Sequence, residues 1–383
     1  MLVDGIAESP ILSLIDQIFR LQQRGEDILG LHIGEPDFET PLGIRQAACQ
    51  ALEEGRTHYT SAQGLPELRR ALASRLETHF RIPSTPESLV ILPAKFAIYA
   101  TLLACVNPGD DVLLPDPTYL FEQPVQLAGA RPVYFPLRED FSLDLRSLEA
   151  QVTPRSRALF LVTPANPTGR VLRREEVEEA LALAQRHHLT VVSDETYASL
   201  LYEGSLVSPA SLAPEEVPVA TIGSFSKEFA MTGWRIGFVN SPPAITQRLV
   251  KVVEHTLTCL PPFIQRAALW ALEHGGEDAA RFREAFRHRR DLICGLLKGA
   301  PGLSCPRPEG AFYLFPRFRA PLTSVKFSYA LLKEERVAVV PGVAFGPRGE
   351  HHVRISYTAP DDVLREGAAR IRRFLAVHPE SPG

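Results

Sequence analysis

The sequence predicts an α/β fold in which a mostly parallel, seven-stranded sheet lies between helices, with a smaller α+β domain beside it. Seven short apolar runs, rich in β-branched residues, alternate with helical patterns between residues 88 and 240. Strands that are apolar along their whole length are typical of a parallel sheet covered on both faces. The chain of 383 residues also exceeds the roughly 250–300 residues at which one hydrophobic core stops growing, so two domains are expected.

Two helices are predicted before the first apolar run. The segment ILSLIDQIFRLQQRG (11–25) repeats apolar residues at i, i+3, i+4 and i+7 and ends at a glycine, and LGIRQAACQALEEG (42–55) is again helical. The predicted strands follow in chain order: SLVIL (88–92), DVLLP (111–115), RPVYF (131–135), RALFLV (157–162), LTVVS (189–193), VPVATI (217–222) and RIGFVN (235–240).

The pattern changes near residues 275–300. GGEDAARFREAFRHRRDLICGLLKG (275–299) indicates one long helix, and GAFYLFPRF, FSYALLKEE, VAVVPG and HHVRISYT then mix strands with helices, as in an α+β unit. Because chain ends often lie close together, the N-terminal segment is expected to join this unit. The prediction is a large domain at 43–285 and a small domain formed by 1–42 and 286–383. The tail PESPG (379–383) is expected to be disordered.

The composition argues against two classes of partner. The formal net charge is −4, so no overall field attracts nucleic acid or an anionic membrane. One basic cluster, RFREAFRHRR (281–290), is interpreted as the solvated face of the long helix. The long apolar stretch ILPAKFAIYATLLACV is interrupted by Pro93 and Lys95 and is too short for a membrane span. We therefore expect neither a nucleic-acid partner nor a membrane partner.

The cysteines and the N-terminus indicate the compartment. The five cysteines are scattered, with no C-x-x-C pair and no cysteine–histidine spacing typical of a metal site. This favours buried thiols in a reducing compartment over disulfides or zinc. The first residues, MLVDGIAESP, lack the basic start and apolar core of a signal peptide. A cytoplasmic protein without a metal ion is predicted.

Polar residues follow five of the predicted strands. In an open parallel sheet, ligands bind beyond the carboxyl ends of the strands. The residues found there are Lys95 after SLVIL, Tyr119 after DVLLP, Asn166 after RALFLV, Asp194 and Tyr197 after LTVVS, and Ser224 and Lys227 after VPVATI. One edge of the sheet is thus predicted to carry an amide, a carboxylate, two phenols, a hydroxyl and lysine amines.

These residue types together fit pyridoxal phosphate. Its aldehyde needs a lysine, and its ring nitrogen needs a carboxylate that keeps it protonated. Its phenolic oxygen needs hydrogen-bond donors, and its phosphate needs backbone N–H groups, hydroxyls and an arginine. Its flat ring needs an aromatic neighbour.

The chain also resembles the class I/II aminotransferases of the aspartate aminotransferase superfamily, which have fold type I. The resemblance covers nearly the whole length and depends on motifs that occur in the family's order. They are HIGEPDFETP, THYTSAQGLPELRRAL, NPGDDVLLPDPTY, TPANPTG, SDETY, SFSKEFAMTGWRIGF, PEGAFYLFP and VRISY. It implies a pyridoxal-phosphate-dependent transaminase with a ping-pong mechanism.

The resemblance assigns the central catalytic roles. Lys227 matches the lysine that forms the Schiff base with the cofactor and later shuttles a proton. Asp194 matches the partner of the ring nitrogen, although an aspartate after a strand is by itself more often a turn residue. Tyr197 and Asn166 match the pair that hydrogen-bonds the phenolic oxygen, and Asn166 is also expected beside the substrate. The resemblance further implies a cis bond between Asn166 and Pro167.

Five further residues match positions around the cofactor. Ser224 and Arg235 match phosphate ligands, and Ala94 and Lys95 match the loop whose N–H groups hold the phosphate. This loop departs from the family pattern, since Pro93 stands where glycine is common and has no N–H to offer. The Lys95 side chain is also compatible with a solvated position. Tyr119 resembles the aromatic residue that stacks on the ring, although a lone tyrosine there would also fit the core.

Three matched residues concern the substrate and a second subunit. Arg354, in VRISY, matches the arginine that binds the substrate α-carboxylate, and Gly34 matches the backbone position beside that carboxylate. Tyr59, in THYTSAQG, matches a tyrosine that reaches the phosphate of the neighbouring subunit. The resemblance therefore implies a homodimer with shared active sites.

The substrate side chain is less determined. Aspartate-specific relatives need a second cation, and no arginine occurs between Lys251 and Gln265, where one branch has it. Leu103 matches the position at which a bacterial branch has a lysine. These differences favour a neutral or aromatic amino acid at least as much as aspartate, with 2-oxoglutarate as the acceptor that family habit implies.

Two other functions use the same residues. Carbon–sulfur lyases and cyclopropane-forming synthases share lysine and aspartate at the positions of Lys227 and Asp194, and no motif separates them from transaminases. A non-enzymatic cofactor-binding sensor domain is the second alternative. Such sensors carry a DNA-binding extension, and no helix-turn-helix segment precedes the predicted domain here.

Overall fold

The structure is a computed structural model that describes residues 2–6 and 10–379. Its strands, in chain order, are β1 (Leu29–Gly30), β2 (Leu89–Leu92), β3 (Asp111–Asp116), β4 (Arg131–Pro136), β5 (Ser156–Val162), β6 (Thr190–Asp194), β7 (Val219–Ser224), β8 (Gly237–Asn240), β9 (Leu303–Ser304), β10 (Tyr313–Leu314), β11 (Arg317–Phe318), β12 (Val337–Ala338), β13 (Val340–Pro341) and β14 (Val353–Ser356).

Helices connect most of these strands. The α-helices are α1 (Pro10–Gln23), α2 (Leu42–Glu53), α3 (Pro66–Phe80), α4 (Ala94–Cys105), α5 (Glu122–Leu127), α6 (Leu145–Ala150), α7 (Arg174–Arg186), α8 (Pro243–Glu254), α9 (Pro262–His274), α10 (Gly276–Leu297), α11 (Ser324–Glu335) and α12 (Asp361–Val377). Short 3-10 turns lie at Leu2–Gly5, Pro86–Ser88, Pro209–Ser211, Gly342–Phe345 and Pro347–Gly349.

The central sheet has seven strands in the order β2-β8-β7-β6-β5-β3-β4. Only β8 runs antiparallel, to β2 on one side and β7 on the other. The remaining pairs are parallel. The predicted α/β class and the mostly parallel seven-stranded sheet are confirmed, and each of the seven apolar runs forms one strand of it.

Apolar residues on both faces of the sheet explain why its strands read as continuous apolar runs. In β5, Phe160 packs with residues of α4, α5 and α8, whereas Leu159 packs with residues of α6 and α7 on the other face. Both side chains are fully buried. Successive strand residues point to opposite faces, so a sheet that is covered by helices on both sides needs apolar residues at every position.

The C-terminal part builds a separate apolar cluster. It joins α10, α11 and α12 to the small antiparallel sheet β10-β14-β13. Strand β1 pairs in parallel with β12, with Leu29 opposite Val337, so the N-terminal segment reaches this cluster. Helix α10 continues without a break across the predicted boundary at 285/286. The division into 43–285 and 1–42 with 286–383 stays a prediction.

One interpretation of the sequence is wrong. The cluster RFREAFRHRR is not simply a solvated face, because Arg289 and Arg290 are 9% and 1% exposed. Arg289 donates to Asp37 at 2.7 Å and to the Thr358 carbonyl, and Arg290 pairs with Asp291 at 2.8 Å. These charges are buried because each has a carboxylate partner, which the periodicity of one helix does not reveal.

The predicted disorder of the PESPG tail concerns residues 379–383, of which 380–383 lie outside the described range.

The described residues include no helix that is long and apolar enough to cross a membrane. They also include no cluster of histidine, cysteine, aspartate and glutamate that could hold a metal ion.

Candidate active site

The predicted polar residues lie at one edge of the central sheet. The β5–β6–β7 register places Val162 opposite Asp194 and Asp194 opposite Ile222, so these strands end side by side. Because β8 is antiparallel, it begins at this same edge, with Gly237 opposite Ser224. Arg235 is thereby brought to the edge at which the parallel strands end.

Lys227 lies in the turn after β7, with its amine largely buried. Its Nζ donates to the carbonyl of Gly34 at 2.8 Å. Burial lowers the pKa of Lys227 to about 8, and the nearby charge of Glu35 acts in the opposite direction. An amine with a lowered pKa is partly unprotonated near neutral pH, as a nucleophile or a general base requires.

Asp194 and Tyr197 come from the end of β6. Asp194 is 8% exposed, and its Oδ1 accepts from the N–H of Thr196 at 3.0 Å. Burial raises the pKa of this carboxyl group, against the hydrogen bond from Thr196 and the charge of Lys95. The Tyr197 hydroxyl hydrogen-bonds the Tyr313 hydroxyl at 2.7 Å. Asp194 is thus a buried carboxylate that a cationic N–H partner would stabilise.

Arg354, on β14, is 4% exposed. Its Nη1 donates to Asn166 Oδ1 at 3.2 Å, and its Nη2 donates to the His32 carbonyl at 2.7 Å. Within the described part of the chain its Nε has no partner and no carboxylate pairs with it. The ring centre of Tyr313 lies 4.4 Å from its Cζ. A buried guanidinium without an anion is costly, so this position fits an anionic ligand.

Asn166 lies in the turn after β5 and is 4% exposed. The Asn166–Pro167 bond is cis, as the resemblance implied. The hydrogen bond between Asn166 and Arg354 connects the edge of the central sheet with the small antiparallel sheet, so residues of both sheets line the same cleft.

Four further residues are the predicted phosphate ligands Ala94, Lys95, Ser224 and Arg235. Helix α4 begins at Ala94, directly after Pro93, so its first N–H groups are free of a side-chain cap. The Ser224 hydroxyl accepts from the N–H of Ser226 at 3.1 Å, and Arg235, exposed, donates to the Thr232 carbonyl at 2.8 Å. The exposed Lys95 places its Nζ 4.6 Å from the ring centre of Tyr119. A helix N-terminus beside cations suits an anion.

Tyr59 is the one predicted residue that the chain does not bring to the others. Its side chain is 87% exposed. The structure records neither a hydrogen bond nor a ring contact between it and any other predicted site residue. The expected contact of Tyr59 with a second subunit stays a prediction.

Tyr313 and His32 were missed by the sequence reasoning. Tyr313 contacts both Tyr197 and Arg354. His32 is 4% exposed, and burial, followed by the charge of Arg354, lowers its pKa to about 4, so it is neutral. The motif PEGAFYLFP contains Tyr313 and was the available signal. Nothing in the sequence marks His32, because its role depends on the backbone carbonyl that it offers to Arg354.

Gly34 is packed so closely that a side chain does not fit. A Cβ placed on it would lie 2.0 Å from the Tyr313 hydroxyl oxygen. Gly34→Ala is therefore expected to displace Tyr313, to break its bond with Tyr197 and to destabilise the fold by about 1–3 kcal/mol. Thermal unfolding and the Km for the amino acid would measure both effects.

Gly233→Ala is the matched control for this substitution. A Cβ on Gly233 meets no atom within 4 Å, so the melting temperature and Km should stay at their wild-type values. Equal behaviour of the two variants would show that the contact between Gly34 and Tyr313 has no influence on the site.

The residues of this edge fit pyridoxal phosphate. The amine of Lys227 suits its aldehyde, and the carboxylate of Asp194 needs a cationic partner such as a protonated ring nitrogen. The uncapped start of α4 suits its phosphate. The unpaired Arg354 leaves a place for the carboxylate of an amino acid.

Comparison with known proteins identifies the family. Residues 26–371 match the family described as aminotransferase class I and II. The chain is 41% identical over 372 residues to an aspartate aminotransferase of Pyrococcus abyssi, and 39% identical over 372 residues to aromatic-amino-acid aminotransferase 2 of Thermococcus litoralis, in each case over 95% of both chains. The structure of aspartate aminotransferase from Thermus thermophilus with maleate has a TM-score of 0.92 and 35% identity, over 98% of both chains.

The fold and the matched family define a pyridoxal-phosphate-dependent enzyme of fold type I. The chain belongs to the class I and II aminotransferases. Its activity is that of a transaminase, which acts on amino acids and 2-oxo acids. The predictions of family, enzyme class and cofactor are thereby confirmed.

Proposed function

We propose that this transaminase moves the amino group of a neutral or aromatic amino acid to a 2-oxo acid such as 2-oxoglutarate, with aspartate as the competing donor. The observation that carries the proposal is that two buried basic groups from distant parts of the chain bind the same segment, residues 32–34. Lys227 binds the carbonyl of Gly34 and Arg354 binds the carbonyl of His32, two residues away. The Arg354 guanidinium, which no carboxylate of the described residues pairs with, suits the carboxylate of an amino acid, and the Lys227 amine suits proton transfer at the adjacent Cα.

The cofactor contacts are assigned as follows. Lys227 would be the point of covalent attachment, Asp194 would accept a hydrogen bond from the ring N–H, and Tyr197 with Asn166 would hydrogen-bond the phenolic oxygen. Tyr119 would lie against the ring. The phosphate would be held by Ser224, Arg235, Lys95 and the N–H groups that begin at Ala94. Burial of Asp194 and the uncapped start of α4 support these assignments.

The protein residues divide the chemistry between them. When bound, pyridoxal phosphate supplies an electrophilic carbon for amines and a ring that draws off the electron pair left at the substrate Cα. Lys227 takes the proton from Cα, and its lowered pKa of about 8 matches that task. Arg354 fixes the carboxylate and, with Asn166 and Gly34, sets the direction of the Cα–H bond. We infer that the segment that carries Gly34 would close over the bound substrate and exclude water.

An uncharged substrate side chain is proposed because neither of the two positions at which aspartate-specific relatives carry a second cation carries one in this chain. No arginine occurs between Lys251 and Gln265, and Leu103 on α4 is a 39% exposed apolar residue. The relatives include both aspartate and aromatic aminotransferases, so family membership alone does not choose between them.

A screen of half-reactions tests the proposed function. The purified protein with bound cofactor is mixed with each common amino acid, and the change in cofactor absorbance is followed over time. Neutral or aromatic amino acids should react at least as fast as aspartate, with stoichiometric transfer to 2-oxoglutarate. Release of ammonia and a 2-oxo acid without an acceptor would contradict transamination and indicate a lyase.

We propose further that two copies form a homodimer in which Tyr59 reaches the phosphate of the partner's site, which its 87% exposure supports. A hydrogen bond to a charged group contributes about 1.5–3 kcal/mol, so Tyr59→Phe should weaken cofactor binding by roughly tenfold or more.

Mixed dimers of a Tyr59→Ala and a Lys227→Ala subunit should regain activity, because one of their two sites is then intact. Absence of complementation in proven mixed dimers would argue for sites within one chain.

We also propose the domain division at 43–285 and 1–42 with 286–383, which the separate apolar clusters around the two sheets support. Limited proteolysis should cut near these boundaries.

A cytoplasmic location is proposed because the five cysteines are all free thiols. Cell fractionation would check it.

A further inference from the structure

A pocket of about 540 Å³ lies next to the catalytic turns, since Ala198 and Glu228 in its wall directly follow Tyr197 and Lys227 in the chain. The C-terminal end of α3, the loop of residues 198–211 and the N-terminal end of α10 meet there. None of the residues that line it is assigned to the cofactor or the substrate. The pocket therefore differs in its lining from the predicted cofactor and substrate site.

The lining of this pocket is strongly basic. Four arginines line it, namely Arg75, Arg81, Arg174 and Arg283, against the single carboxylate of Glu228, which gives a formal charge of +3. The whole chain has a formal net charge of −4. A concentration of positive charge in a concave site of a negatively charged protein focuses the field on anions.

Two of these arginines lack an anionic partner. Arg75 forms an ion pair with Glu228, and Arg174 pairs with Glu178 on its own helix at 3.2 Å. For the side chains of Arg81 and Arg283, the described part of the chain provides no ion pair or hydrogen bond. Burial raises the pKa of Glu228, and the charges of Arg75 and Arg283 oppose that rise. The charge of Arg283 thus reaches Glu228, which lines the same pocket.

Neutral donors complete the lining. The hydroxyls of Ser199 and Ser205 line the pocket, and no hydrogen bond is recorded for either of them in the described residues. Helix α10 begins at Gly276 in the pocket wall, without a side-chain cap. The acidic residues of its first turn, Glu277 and Asp278, do not line the pocket, and Arg281 binds Asp278 at 2.6 Å.

We propose that this pocket binds a small, multiply charged oxyanion, held by the guanidinium groups of Arg81 and Arg283 and by the hydroxyls of Ser199 and Ser205. Guanidinium groups bind phosphate and carboxylate oxygens in a bidentate manner, and both ligand types have the required charge. The pocket is concave and open to solvent, and Arg81 and Arg283 are exposed, so a small anionic metabolite can reach both guanidinium groups from solution.

Calorimetric titration of the protein with bound cofactor tests the proposal. Inorganic pyrophosphate and citrate are titrated separately at constant ionic strength set with sodium chloride. At least one should bind saturably. A preference for pyrophosphate would assign the pocket to phosphate groups, and a preference for citrate would assign it to carboxylates. If neither anion binds saturably, the proposal is wrong.

The variant Arg81→Asn with Arg283→Gln should raise the Kd by about tenfold or more, because it removes both unpaired charges. Asparagine tolerates the positive φ of 56° at position 81. The control Arg20→Gln with Arg365→Gln, two exposed arginines outside the pocket, makes the same change in net charge and should leave the Kd unchanged.

An unchanged Kd in the pocket variant would overturn the proposal, because the anion would then be bound elsewhere, for example at Arg354. Arg283→Gln alone leaves the backbone of residue 81 untouched and should show part of the same loss. Transaminase activity and melting temperature of the variants verify that they are folded.

Discussion

Replacing Lys227 by alanine is expected to reduce transamination by about 10²- to 10⁴-fold or more, the range over which a general acid–base group contributes. Lys227 is a largely buried amine at this edge of the sheet, and its 2.8 Å contact with the carbonyl of Gly34 places it beside the segment that also holds Arg354. The variant loses both the covalent attachment of the cofactor and the transfer of the Cα proton. An added amine can accept a proton but is not attached to the protein, so it should restore only the proton transfer, and only in part.

Borohydride reduction followed by peptide mapping measures the first part of this prediction. The wild-type protein should carry the reduced cofactor on the peptide that contains Lys227, and the Lys227→Ala protein should carry none. Lys333→Ala removes an exposed lysine of α11 and serves as the control, with unchanged labelling and activity. A label on any other lysine of the wild-type protein would contradict the role given to Lys227.

The sequence predicted the central sheet well because of one physical regularity. A strand between two layers of helices has to be apolar at every position, and this makes it visible as a short continuous run. The apolar runs do not determine the order in which the strands lie side by side in the sheet. Nothing in RIGFVN shows that β8 would run antiparallel between β2 and β7, although this reversal brings Arg235 to the same edge as Ser224.

The remaining parts of the site depend on contacts between distant segments. Arg289 appeared solvated within its helix, but Asp37 and the Thr358 carbonyl, far away in the chain, bury it. Tyr313 acquires its place from Tyr197 and Arg354, which lie more than a hundred residues before it and on a later strand. Periodicity and motif spacing describe neighbours along the chain, so contacts of this kind require the folded structure.

The local chemistry of the cleft shows why its cations are useful. Burial lowers the pKa of Lys227 to about 8 and that of His32 to about 4. His32 is therefore neutral and Lys227 is partly unprotonated near neutral pH, whereas the guanidinium of Arg354 stays charged under all physiological conditions. A permanently charged guanidinium together with an amine of lowered pKa gives the substrate a carboxylate anchor and a proton acceptor.

Removing this anchor is expected to have the second largest effect. Truncation of one partner of a buried, hydrogen-bonded ion pair costs about 2–5 kcal/mol, so Arg354→Gln should lower kcat/Km for amino acids by roughly 30- to 5,000-fold. Glutamine retains hydrogen-bonding groups near Asn166 and the His32 carbonyl but has no charge for the carboxylate. Steady-state and single-turnover kinetics would measure the loss.

A substrate without a carboxylate gives the matched control for this variant. The amine that corresponds to a good amino-acid substrate, lacking only the carboxylate, should react slowly with the wild-type protein and equally slowly with Arg354→Gln. The amino acid loses its advantage over the amine only if Arg354 is the carboxylate partner. If Arg354→Gln preserves that advantage, the carboxylate is bound by another cation of the cleft, of which Arg235 and Lys95 at the edge of the sheet would be the next to replace.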